Sequence, residues 1–97
     1  MMGRSMERYA VSYYYCHFPL CSHVGAIEKS YETEPMSFRS ALRDLRDMYY
    51  LTLEELRKRG VRIKKASLGE DHFIITWEEP GKYDCFFSGR IIRVTSS

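Results

Sequence analysis

The chain has 97 residues, 44% hydrophobic and 14% aromatic, enough for one compact domain with one core and too few for two. Fifteen lysines and arginines against 13 acidic residues leave a net charge of +2, which excludes the strongly basic composition of a histone-like or tail-type nucleic-acid binder. Electrostatic targeting must therefore come from where the charges sit.

In chain order, residues 1–6 read as a disordered leader ahead of a single domain that takes up the rest of residues 1–97. Tyr9 to Phe18 is rich in β-formers and apolar on both faces, with Tyr9, Val11, Tyr13 and Tyr15 on one side and Ala10, Ser12, Tyr14, Cys16 and Phe18 on the other, so a central strand is expected. Pro19 stops it, because proline cannot donate a ladder hydrogen bond. Val24 to Glu32 alternates weakly, with Ile27 and Tyr31 against Glu28, Ser30 and Glu32, as a half-exposed partner strand would. The two make a hairpin.

The next element is a helix. Ser37 caps it after Pro35; Phe38, Ala41, Leu42, Leu45, Met48, Tyr49, Leu53 and Leu56 recur at the three-and-four spacing of one buried stripe; Gly60 supplies the left-handed stop. The period then changes to two. Val61 and Ile63 open a third strand, Phe73, Ile75 and Trp77 share one side of a fourth, the EPGK at 79–82 turns, and Tyr83 to Val94 is the last. A turn of odd length would put Cys85 and Phe87 on the side of Trp77 and Ile75, and Gly89 is expected to mark a bulge, since apolar residues beyond it include both Ile91 and Ile92. The order β-β-α-β-β-β implies an α+β two-layer domain, one long helix packed on a four- to five-stranded antiparallel sheet.

Three groups of residues bear on chemistry. The stretch YYYCHFPLCSHVG at 13–25 carries Cys16, His17, Cys21 and His23, and a zinc ion would need Cys16, Cys21 and His23 completed by Cys85, or by His17 if the chain bends early. Against this, C-x4-C-x-H matches no standard zinc framework, and His17 projects from the opposite face to Cys16 if the strand persists. Three cysteines without a secretory signal suggest reduced thiols in a cytoplasmic protein, and neither Cys16 nor Cys21 has the cationic surroundings that activate a thiolate. The carboxylate couples Glu54-Glu55, Glu70-Asp71 and Glu78-Glu79 lie on an exposed helix or at turns, and no phosphate-cradling glycine loop is present. The chain is thus expected to be no enzyme and to need no cofactor.

The helix offers more. At about 100° per residue, Arg39, Arg43, Arg46, Tyr50 and Arg57 wind along one flank of the buried stripe, with Asp44, Asp47 and Glu55 elsewhere. Guanidinium groups suit forked bonding to carboxylates or phosphates. The plainer reading is a solvated face laced by pairs such as Arg43-Asp47. No stretch is long and apolar enough to span a bilayer, so no membrane partner is expected.

These features predict a small, non-enzymatic, cytoplasmic binding protein that docks Arg39, Arg43, Arg46, Tyr50 and Arg57 on a protein partner. By analogy of size and fold it would be an inhibitor of the type phages and mobile elements direct at host nucleic-acid-handling complexes. The alternative is direct RNA or DNA binding by the same arginines, with Tyr13 and Tyr15 stacking on bases and Arg62, Lys64 and Lys65 extending the positive surface. A zinc-stabilised adaptor is third. An apolar Tyr14-Cys16-Phe18 surface would also permit a homodimer.

Overall fold

The computed structural model describes residues 7–19, 27–79 and 83–94. The elements are β1 (Arg8–Pro19), β2 (Ile27–Glu32), α1 (Phe38–Arg59), β3 (Arg62–Leu68), β4 (His72–Glu79) and β5 (Tyr83–Val94), in the expected order. The strands form one antiparallel sheet ordered β2-β1-β5-β4-β3, with α1 laid over β1, β5, β4 and β3 on one face. First and last strands are neighbours, paired from Arg8↔Val94 to Pro19↔Tyr83. β1 is bonded on both sides, which accounts for its two apolar faces: Val11 is fully buried toward the helix and Ala10 on the other side.

The helix starts where it does because the chain before it is pinned to β1. The Val11 N–H donates to Thr33 Oγ1 at 2.9 Å, the Thr33 N–H to the Val11 carbonyl at 3.0 Å, and Tyr9 and Met36 exchange backbone bonds at 2.7 Å. Ser37 then caps α1, its hydroxyl accepting from the Ser40 N–H, and Phe38, although exposed, rests edge-on against Tyr9. Gly60, at φ 72°, closes the other end with its N–H on the Arg57 carbonyl. Immediately before the cap Arg59 pairs with Glu79, which also accepts from the Trp77 indole N–H at 3.1 Å; the guanidinium holds the Glu79 carboxyl below the usual carboxylate range. Both ends of α1 are therefore tied to the sheet, and the rotation of the helix about its axis follows from the stripe Ala41, Leu45, Tyr49, Leu53 and Leu56 that it buries.

The turn of odd length is confirmed by register: Trp77 faces Cys85 and Ile75 faces Phe87. Gly89 corrects the sequence reading. β5 runs through it with no register shift against either neighbour, and Ile91 lies in the core while Ile92 falls on the opposite face. The glycine is required by close approach instead: a Cβ there would stand 2.6 Å from Phe73 Cε2 and 2.9 Å from Tyr13 Cε1. The bulge is in β3, between Ile63 and Lys65. Ile63 and Leu68 are an odd number of residues apart, so strict alternation cannot turn both toward the helix; the extra residue lets both pack on the core.

Candidate partner-binding surface

Because the stripe fixes the helix rotation, the arginine flank has only one place to go. Arg39, Arg43, Arg46 and Arg57 are all exposed, and none forms an ion pair among the described residues. The expected Arg43-Asp47 pair is not formed. Asp44, next to Arg43 in sequence, is turned to the other flank, where it accepts the Tyr13 hydroxyl through both its carbonyl, at 3.2 Å, and its Oδ2, at 3.1 Å. Other basic side chains do find partners: Arg59 with Glu79, Arg62 with Glu78, Lys64 with Asp84, Arg93 with Glu7.

Tyr50 sits amid the arginines, 60% exposed, its ring edge-on against the buried Tyr49 at 5.1 Å. With Arg46 it borders a shallow depression of about 450 Å³ floored by Leu68, Gly69 and Glu70 at the end of β3. Leu51, also 60% exposed, lies about 100° further round the helix, on the side of Thr52 and Glu55, away from the arginines. It is an exposed apolar residue that the arginine spacing does not mark, although its helical angle, outside the buried stripe, carries the signal.

The nucleic-acid set is not brought together. Tyr13 is 4% exposed under the helix and unable to stack a base, and Tyr15 is half-buried, bonded to His17 Nδ1 at 2.9 Å with its ring against Trp77. Arg62, Lys64 and Lys65 lie three strands away, with Arg62 and Lys64 directed to acidic partners on the opposite face. Burial and the adjacent Asp44 push the Tyr13 hydroxyl well above the ordinary tyrosine range. The folded state thus keeps its proton where the unfolded chain, at about pH 10, loses it, so stability falls as pH rises beyond that point. Tyr13→Phe is expected to flatten this alkaline loss, read by melting temperatures between about pH 9 and 11, at a cost of about 0.5–1.5 kcal/mol near neutrality. Equal alkaline slopes in the two proteins would refute the assignment.

The four-ligand zinc set is also corrected. Cys16 stands opposite Phe86 and Cys85 opposite His17, so the two thiols leave adjacent strands on opposite faces of the sheet and cannot enter one tetrahedron. Cys21 and His23 lie outside the described residues. Cys85, 2% exposed, lies 3.7 Å from the Tyr15 hydroxyl, and burial pushes its thiol up. No group of three or more His, Cys, Asp or Glu side chains among the described residues is placed to hold a metal ion. Of the carboxylate couples, Glu78 and Glu79 point to opposite faces, and Asp71 is engaged by His72 Nδ1 at 3.0 Å.

The fold is that of an α+β two-layer domain in which a single helix presents a basic flank to solvent. No protein-family model matches the chain, and neither a curated protein nor a solved structure matches it significantly. No described helix is long and apolar enough to cross a membrane.

Proposed function

We propose that this is a non-enzymatic binding protein that docks the α1 flank on an acidic surface of a protein partner. The observation behind this reading is that Arg39, Arg43, Arg46 and Arg57 are exposed and without ion pairs among the described residues, with Tyr50 in their midst. Like charges three and four apart on a helix repel by about 0.2–0.5 kcal/mol per pair, a cost that no ion pair among the described residues offsets and that an acidic partner would reverse. Tyrosine and arginine are the side chains that most often anchor interfaces, and a ring already braced by Tyr49 loses little further freedom on docking. A protein rather than a nucleic acid is favoured because the tyrosines that would stack bases are covered or engaged. Occupying the partner's surface acts by steric exclusion, the effect of an inhibitor.

A photo-crosslinking residue at position 50 is expected to join the protein to one acidic partner, and the complex should weaken as salt is raised. The protein alone should not retard RNA or DNA oligonucleotides. A mobility shift that fades steeply with salt would replace this reading with direct nucleic-acid binding.

A further inference from the structure

Beyond the helix surface, the geometry points to a second interface: we infer that the sheet face away from α1 pairs with the same face of a second copy, about a two-fold axis parallel to the strands. Among the described residues no element packs over this face. Its centre is apolar, with Tyr14 edge-on against Phe86 at 6.1 Å and Ile74 close by, all half-buried. Five strands about 4.8 Å apart, counted over about seven residues each, present about 550 Å² per copy, so the pair buries about 1,100 Å², the low end of specific interfaces.

The one row of paired residues that ends in opposite charges favours both the occupant and the axis. One row of paired residues crosses the whole sheet: Glu28, Cys16, Phe86, Thr76, Lys65. Its two ends carry opposite charge, both exposed, and neither forms an ion pair among the described residues. Lys65 faces this way because of the β3 bulge, since unbroken alternation from Ile63 would turn it toward the helix side. A two-fold parallel to the strands lays β2 of one copy over β3 of the other, so Glu28 meets the second copy's Lys65 twice, while Phe86 meets Phe86 at the axis. An axis across the strands would set Glu28 against Glu28 and Lys65 against Lys65; the axis along β5 instead brings Asp84 and Arg90 near their own copies, Asp84 being already paired with Lys64. The aligned packing of sheet on sheet is the usual geometry of such faces, and it leaves both α1 flanks pointing outward.

The test is solution mass by light scattering at about 100 µM protein, a concentration suited to a weak interface of this size. The full chain is expected at twice its 11.5 kDa. Glu28→Lys alone and Lys65→Glu alone should each shift the mass toward the monomer, because each places like charges together twice. Mixed in equal amounts, the two variants should recover the dimer mass, since every Glu then meets a Lys, and Phe86→Asp should abolish it in any background. A chain that is monomeric throughout overturns the inference, as does a dimer indifferent to these changes, which would use another surface. A monomer whose Phe86→Asp variant loses the crosslinked partner would assign the face to that partner instead. The outward helix flank is untouched by all three substitutions, so failure here and failure of the docking proposal are separately visible.

Discussion

Phe73→Ala is expected to destabilise the protein by about 3–5 kcal/mol, a large share of the roughly 5–15 kcal/mol that holds a domain folded. Phe73 is fully buried where the helix meets the sheet, within ring contact of Tyr13, Tyr49 and Phe87, and its loss leaves a cavity those braced rings cannot collapse into. Gly89→Ala attacks the same spot from the backbone side. Its new Cβ would press on Phe73 and Tyr13, for an overpacking cost of about 1–3 kcal/mol. The decisive comparison is the double variant, because the space vacated by Phe73 accommodates the added methyl. Urea unfolding should show the pair less destabilised than the sum of the singles by more than about 0.5 kcal/mol. Strict additivity would mean the rings do not close over Gly89.

The Arg43→Glu/Arg46→Glu variant is expected to lose the partner captured through position 50 by roughly thirty- to a thousandfold, equivalent to about 2–4 kcal/mol. Each reversal removes an attraction and adds a repulsion against the same acidic surface. Neither arginine touches the core, so the melting temperature should change little, as surface substitutions usually cost within about 0.5 kcal/mol. Exposed arginines replaced by glutamine should give an intermediate loss, which separates charge from shape. Partner binding retained in the double reversal would remove the flank from the interface. If the folded protein retained binding in the double reversal yet lost it on Tyr50→Ala, the contact would be apolar, centred on Tyr50 and the Leu68 depression beside it.

What could be read in the linear chain was whatever depends on neighbours in sequence. The three-and-four recurrence from Ala41 to Leu56, the Ser37 cap and the Gly60 stop define α1, and a rigid helix then dictates by angle alone that Arg39, Arg43, Arg46 and Arg57 share a side. Alternation defined the strands, and apolar matching set the β4–β5 register, because a slip of one residue would have sent Cys85 and Phe87 to the wrong face. Pairings between distant segments decided the rest. The reach of Phe73 across β5 explains Gly89, and the separation of Ile63 from Leu68 had to be reconciled with the core by the β3 bulge, which also moved Lys65 to the open face. Whether Tyr13 was a platform or a core residue, and whether Cys16 and Cys85 could meet, hung on strand order and on the face the helix covers. Those choices are made by long-range burial, which local periodicity does not encode.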